Sequence, residues 1–115
     1  MELINEALTH SSARQKINHE RLEFLGDAVL RLAASEYIEK FHPNLTVGES
    51  STLRSQLVSD NWLGELGEKM NIQDVQIIGP AARGDKAARS TLRAEATEAL
   101  IGAIYQGWES INPIQ

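Results

Sequence analysis

The sequence contains no cysteine among its 115 residues, which excludes disulfide bonds and thiolate metal sites. It has no apolar run near the ~18 residues that a membrane-spanning helix requires. The first residues, MELINEALTH, lack the basic and apolar regions of a signal peptide, and there are no repeats or low-complexity tracts. These absences predict one domain over residues 1–115, located in the cytoplasm and without a membrane partner.

Three acidic residues share one face of the helix that residues 19–30, HERLEFLGDAVL, are expected to form. One residue advances the helical wheel by ~100°, so Glu20, Glu23 and Asp27 fall within roughly 60° of one another. The opposite face is apolar and is expected to face the core through Leu22, Leu25, Val29 and Leu32. Such an acidic face is usually solvent-exposed surface without a specific function. The spacing alone is therefore compatible with either an ordinary surface or a functional site.

Two residues of this stretch do not fit an ordinary solvated surface. Phe24 lies beside the acidic face, and a large exposed aromatic side chain usually has a partner. Gly26 lies mid-helix, where it costs ~1 kcal/mol relative to alanine. A glycine kept at that cost usually marks a close approach of another backbone.

A second acidic pair, Glu95 and Glu98, shares a helix face in residues 91–105, TLRAEATEALIGAIY. If the two helices pack side by side, four or five carboxylates come together. Like charges in one pocket resist joint ionisation, and a divalent cation relieves that repulsion. Carboxylate oxygens with water suit Mg²⁺ or Mn²⁺, so the pattern predicts a metal site.

The stretch HERLEFLGDAVL resembles the signature segment of the ribonuclease III family, NERLEFLGDAVL or close to it. The resemblance extends from ALTHSS, residues 7–12, to EALIGAIY, residues 98–105. It implies an all-α, homodimeric endonuclease domain that hydrolyses double-stranded RNA with Mg²⁺, with Mn²⁺ as a substitute. The products would carry 5′-phosphate and 3′-hydroxyl ends, and the role would be RNA processing of a ribosomal precursor or another structured RNA.

The resemblance also implies roles for individual residues. Asp27 and Glu98 match catalytic positions, and Glu20 matches an acid of the RNA-processing cleft. Phe24 matches an aromatic residue that packs into the partner subunit of the dimer. The implied metal ligands are Glu23, Asp27, Glu95 and Glu98.

Four positions depart from the usual family pattern. His19 replaces asparagine at the helix entry, and Glu95 replaces aspartate, which adds one methylene in a metal site. The second change predicts an enzyme that keeps its activity at a reduced rate, because water can absorb the difference in length. Thr97 stands where an aromatic residue is common, and Arg93 stands where an aliphatic residue is common, so altered packing near the site is expected.

Helical spacing predicts further elements along the chain. Helices are expected over residues 2–8, 19–41 with Pro43 as the stop, from residues 46–48 onward, after residues 59–61, and over 90–108. Residues 72–79 fit either an extended piece or a short helix, and residues 109–115 are expected to fray. His10 is either a general base or a capping or structural residue, and the second interpretation is favoured. The core candidates of the fourth helix are Trp62, Leu63, Leu66 and Met70.

Positive charge is scarce: the sequence has 11 Lys and Arg residues and 16 Asp and Glu residues, which gives a formal net charge of −5. The expected loop over residues 79–89 nevertheless gathers basic side chains, which either contact an RNA backbone or are simply solvated. These candidates are Arg83, Lys86, Arg89 and Arg93. The overall charge predicts weak, salt-sensitive RNA binding by this domain alone, so a separate RNA-binding protein or domain is a candidate partner.

Three functions remain open at this stage. The first is a Mg²⁺-dependent double-stranded-RNA endonuclease, which the five acidic residues favour. The second is a catalytically silent, RNA-binding or ribosome-associated member of the same fold. The third is a structural dimerisation module, which the acidic face argues against. The chain leaves no room for the double-stranded-RNA-binding domain that usually follows, as in a minimal nuclease or a separated catalytic domain.

Overall fold

The computed structural model describes residues 2–111, and these fold almost entirely into helices. The helices are α1 (Leu3–Leu8), α2 (Glu20–Phe41), α3 (Val47–Leu57), α4 (Asp60–Lys69), α5 (Pro80–Arg83) and α6 (Arg89–Ile111). Between residues 2 and 111, the β contacts amount to one isolated parallel bridge between Thr9 and Ile77. The all-α prediction is confirmed. No helix within this range is long and apolar enough to cross a membrane.

The ends of α3 and α4 follow local sequence signals. The Thr46 hydroxyl accepts a hydrogen bond from the Glu49 amide at 3.1 Å, while the Glu49 carboxylate accepts one from the Thr46 amide at 2.9 Å. This reciprocal arrangement is a capping box, and it starts α3 where expected. Ser59 caps α4 by accepting from the amide of Trp62.

Three expectations along the chain need correction. Residues 79–89 are not a plain loop, because they hold α5 and a 3₁₀ turn over Lys86–Ala88. Residues 72–79 contain both proposed forms, a 3₁₀ turn over Ile72–Asp74 and the bridge at Ile77. Fraying is wrong for residues 109–111, which continue α6, and the rest of that segment, with Pro113, lies outside the described residues.

Helices α2 and α6 cross closely and form the centre of the core. A Cβ atom on Gly26 would fall on the backbone carbonyl of Glu98, and one on Gly102 would fall on the carbonyl of Leu22. The close approach predicted for Gly26 is confirmed. Small side chains complete this contact, and the buried cluster around it consists of Ala7, Leu22, Ala99 and Ala103.

The apolar stripe of α2 is rotated relative to the expected one. Its buried residues are spaced by four or by multiples of four, and they are Leu22, Gly26, Ala34 and Ile38. Leu32, an expected core residue, is 61% exposed, because the helix turns Gly26 toward α6 and thereby turns Leu32 away. In α4 the core expectation holds for Leu63 and is wrong for Trp62 and Met70, which are exposed.

The segment after α1 connects three parts of the chain through backbone hydrogen bonds. His10 donates to the carbonyl of Ile77 at 2.7 Å, and Ile77 donates to Leu8 at 2.8 Å. The amide of His19, the residue that precedes α2, donates to the Thr9 carbonyl at 2.8 Å. The Ser12 hydroxyl accepts from the Gly79 amide at 2.8 Å. This segment therefore holds the start of α2 and the entry to α5.

Candidate active site

Four carboxylates and one aromatic ring line a cleft of about 350 Å³ between α2 and α6. The structure thus brings together five of the residues singled out from the sequence. Phe24 is 84% exposed at the edge of this acidic cleft. The lining residues are Glu20, Glu23, Phe24, Asp27 and Glu98.

The close crossing of α2 and α6 places Glu98 beside Asp27. Because Gly26 has no Cβ, the backbone of α6 at Glu98 lies directly against α2. Asp27 is the next residue of α2, and its side chain is hydrogen-bonded to that of Glu98. The acidic cleft and the centre of the core are therefore built on one contact.

Burial raises the pKa of Glu98 from its usual 4.5 to about 8. The hydrogen bond with Asp27 and the negative charges of Asp27, Glu23 and Asp60 act in the same direction. Near neutral pH, Glu98 is therefore mostly protonated while no cation is bound. A divalent cation in the cleft would offset the repulsion and favour the ionised form.

This pKa predicts how stability depends on pH. A carboxyl whose pKa is higher in the folded than in the unfolded state contributes stability at low pH, and that contribution declines from about pH 4.5 to about pH 8. We expect the free energy of unfolding in EDTA to fall across this range relative to that of Glu98→Gln, and Mg²⁺ to offset the fall. Denaturant titrations at a series of pH values measure this, and parallel pH profiles for the two proteins would contradict it.

Glu95 does not line the acidic cleft. Its Oε1 lies 3.4 Å from Nε2 of His10. His10 accepts a hydrogen bond from the Ser12 amide at Nδ1, at 3.0 Å, and so caps the 3₁₀ turn over Ser11–Ala13. The capping role expected for His10 is confirmed.

His19 lies between the two groups of acids. Its side chain is almost fully buried, its ring stacks on His10 with centroids 4.6 Å apart, and its Nδ1 is 2.8 Å from Oε2 of Glu23. The latter contact is close but lies outside hydrogen-bond geometry, so both ring nitrogens are buried without a hydrogen-bond partner. His10, His19 and Glu95 present potential ligand atoms within 4.8 Å of one another.

Two residues near the cleft were not singled out from the sequence. Arg31 forms an ion pair with Asp27, with Nε 3.0 Å from Oδ2, and the spacing of four residues on one helix could have revealed it. Asp60 begins α4, and its charge contributes to the raised pKa of Glu98. No local pattern signals Asp60, because only the packing of α4 on α6 brings it near.

Three of the basic candidates line a separate cleft of about 460 Å³, which shares no residue with the acidic one. Arg83 and Arg89 are exposed there, whereas the Arg93 side chain is only 17% exposed. Arg93 contacts α4, with Nη2 3.6 Å from Oε2 of Glu68. Lys86 is exposed but does not line this cleft.

The two packing departures both make contacts with α4. Thr97 is buried, donates a hydrogen bond to the carbonyl of Arg93 at 2.7 Å, and lies 3.3 Å from that of Leu63. Arg93 directs Nε toward the carbonyl of Gly64 at 3.4 Å. At both positions, polar contacts with the α4 backbone thus take the place of apolar packing by an aromatic or an aliphatic side chain.

Comparison with known proteins agrees with this fold. The profile of the Ribonuclease-III-like family matches residues 1–110. The chain belongs to the ribonuclease III family. Ribonuclease 3 of Prochlorococcus marinus is 56% identical over the whole chain, and Ribonuclease 3 2 of Synechocystis is 46% identical over 90% of it. The chain spans less than half the length of these relatives, 46% and 42% respectively.

A solved structure shares the ribonuclease III fold. The nuclease domain of ribonuclease III from Campylobacter jejuni superposes with a TM-score of 0.85 at 35% identity. The match covers 90% of this chain and 73% of that one. The description of that structure concerns flexibility in a region involved in dimer formation.

Proposed function

We propose that this ribonuclease III domain hydrolyses phosphodiester bonds of double-stranded RNA at the acidic cleft. The observation that carries the proposal is the group of four carboxylates in one cleft, with the pKa of Glu98 raised to about 8. Relatives named Ribonuclease 3 support the reaction class. We further propose products with 5′-phosphate and 3′-hydroxyl ends, and a ribosomal precursor or another structured RNA as substrate.

The donors of the acidic cleft fit Mg²⁺, because they are all carboxylate oxygens and are held against one another. Glu23, Asp27 and Glu98 would hold the ion. Glu95 contacts His10 in the structure, so its role as a ligand stays a prediction. Bound Mg²⁺ would supply Lewis-acid activation of water and of the scissile phosphate. For this, Asp27 must exchange its ion pair with Arg31 for the cation, and Glu98 must release its proton.

We propose that RNA is bound through its phosphates and A-form shape by the exposed basic side chains near α5. Arg83, Lys86 and Arg89 are the candidates that face solvent, and Arg93 is a weaker candidate because it packs against α4. The net charge of −5 still favours a further RNA-binding protein or domain as partner. The cytoplasmic location stays a prediction.

Arg89→Ala is expected to weaken binding of duplexes of any sequence and to lower the slope of log K against log salt by about one. The reason is that each phosphate contact releases roughly one counterion from the RNA. Fluorescence anisotropy at several salt concentrations, with Ca²⁺ in place of Mg²⁺, measures the slope. Lys40→Ala, an exposed cation near the end of α2, is the matched control, and equal slopes for both variants would contradict the contact.

We propose that the domain is a homodimer in which Phe24 contacts the partner subunit. An aromatic side chain that is 84% exposed beside a charged cleft is costly in a monomer. The Campylobacter jejuni domain, whose description refers to dimer formation, supports the proposal. Sedimentation equilibrium of the chain and of Phe24→Ser tests it, and a monomeric parent chain would overturn it.

The test of the proposed activity is cleavage of a long RNA duplex at low salt. We expect short products with Mg²⁺ or Mn²⁺ and none with EDTA, and end-labelling identifies the product ends. Single-stranded RNA of the same sequence serves as the control substrate. If the folded, dimeric chain binds the duplex without cutting it under either metal, the catalytically silent RNA-binding function replaces the nuclease.

A further inference from the structure

Two of the four departures from the usual family pattern, at residues 19 and 95, lie at one place in the structure. His19, which replaces the usual asparagine, directly precedes α2, and Glu95, which replaces the usual aspartate, lies on α6, far away in sequence. Both contact the ring of His10, His19 by stacking and Glu95 through Nε2. The two residues therefore lie on either side of one imidazole ring, and a substitution of either one changes the surroundings of His10.

A chain of hydrogen bonds fixes the orientation and tautomer of His10. The Gly79 amide donates to the Ser12 hydroxyl at 2.8 Å, and that hydroxyl lies 2.8 Å from Nδ1 of His10. Nδ1 also accepts from the Ser12 amide at 3.0 Å, so it carries no proton and Nε2 must carry one. The protonated Nε2 then lies 3.4 Å from Oε1 of Glu95, a close polar contact outside hydrogen-bond geometry.

The same tautomer argues against a transition-metal site formed by His10, His19 and Glu95. Two imidazoles and one carboxylate are a ligand set that zinc uses, and their atoms lie within 4.8 Å of one another. However, Nε2 of His10 would have to be unprotonated to bind a metal while its Nδ1 still faces the fixed Ser12 amide. The geometry thus favours a His10 whose protonated Nε2 lies beside Glu95 over a His10 that ligates a metal.

His19 is held equally firmly on the other side of the stack. Its amide donates to Thr9 and its carbonyl accepts from Glu23, each at 2.8 Å, and its ring fills buried space between His10 and Glu23. An asparagine side chain is smaller than an imidazole and has no ring to stack on His10, so it would leave part of that space unfilled. His19 therefore supports the ring of His10 and simultaneously limits where the Glu23 carboxylate can move.

We propose that His10 and His19 are positioning residues that orient Glu95 and Glu23 for cation binding, and that His19 and Glu95 are matched to each other. The extra methylene of Glu95 brings its carboxylate to an imidazole that His19 keeps in place. This inference rests on the proposed function, because Glu23 and Glu95 are predicted metal ligands. Partners of metal ligands typically contribute 10–100-fold to metal affinity.

A double-mutant cycle tests the matching, with His19→Asn, Glu95→Asp and the double variant. The readout is Mn²⁺ affinity of the full chain without RNA, from electron paramagnetic resonance, beside Tm in EDTA. We expect each single change to weaken Mn²⁺ binding about tenfold, and the double variant to return to within about threefold of the parent. His42→Asn and Glu65→Asp make the same changes at exposed positions and should leave the affinity unchanged.

The possible outcomes are distinct. The matching is overturned if the losses of Mn²⁺ affinity in the two single variants add in the double variant. It is also overturned if the single variants keep the affinity of the parent, or if only Tm changes. Tight Zn²⁺ binding by the parent that His19→Asn abolishes would make the cluster a metal site and overturn the positioning role. If the parent itself fails to bind Mn²⁺, or still binds it after Asp27→Asn and Glu98→Gln together, the proposed function fails instead.

Discussion

Replacing Gly26 by alanine is expected to lower the free energy of unfolding by about 2 kcal/mol or more. The new Cβ would fall on the backbone of Glu98, which cannot move aside as a flexible side chain can, so α2 and α6 must separate. Overpacking of this kind costs about 3 kcal/mol, whereas alanine gains only ~1 kcal/mol in helix propensity over glycine. Thermal unfolding should show a fall in Tm of roughly 10 °C.

Gly48 of α3 provides the matched control for this substitution. A Cβ there would meet no atom closer than the Thr46 hydroxyl, at 3.9 Å. Gly48→Ala should therefore leave stability unchanged or raise it by up to ~1 kcal/mol. If both variants changed Tm in the same direction, the close crossing at Gly26 would not be the cause.

Asp27→Asn and Glu98→Gln are each expected to reduce cleavage of duplex RNA at least about a hundredfold. Loss of a direct ligand should exceed the 10–100-fold effect of changing a ligand's partner. Above about pH 8, where Glu98 is ionised, the same changes should raise Tm in EDTA, because each then removes one charge from a group of mutually repelling carboxylates. Single-turnover cleavage and thermal unfolding of the same preparations measure both effects.

Opposite effects on activity and stability separate this result from general damage to the fold. Glu36→Gln makes the same kind of change on the exposed face of α2, outside the acidic cleft, and should alter neither quantity. Variants of Asp27 and Glu98 that cut RNA within about threefold of the parent would show that the acidic cleft does not carry the reaction. A lower Tm in EDTA above about pH 8 would show that the carboxylates do not repel one another.

Local patterns predicted every described α-helix except α5, and they predicted the four acids of the acidic cleft but also placed Glu95 with them. The spacing of Glu20, Glu23 and Asp27 on one helix placed them on one face, and the cost of Gly26 pointed correctly to a neighbouring backbone. These signals work because they depend on the geometry of one helix at a time. The catalytic and metal-binding roles of these acids stay predictions.

The parts that could not be predicted depend on how helices pack on one another. The large apolar residues of α2 predict a buried face that includes Leu32 and leaves out Gly26. In the structure Leu32 is exposed and Gly26 is buried against α6. Glu95 was grouped with Glu98 by spacing, yet the neighbouring segment offers it His10. The influence of Asp60 on Glu98 arises only from the packing of α4.

Residues 9–12 also determine where this chain tolerates being cut and rejoined. Their hydrogen bonds hold His19 at the entrance of α2 and both Ile77 and Gly79 ahead of α5. A circular permutation opened within residues 9–12 would break these hydrogen bonds. The start of α2, which carries the acidic cleft, and α5, near the exposed basic side chains, would then no longer be held by one segment. New termini in the exposed turn between α2 and α3 would leave these hydrogen bonds intact, so permuted forms of this domain should begin there.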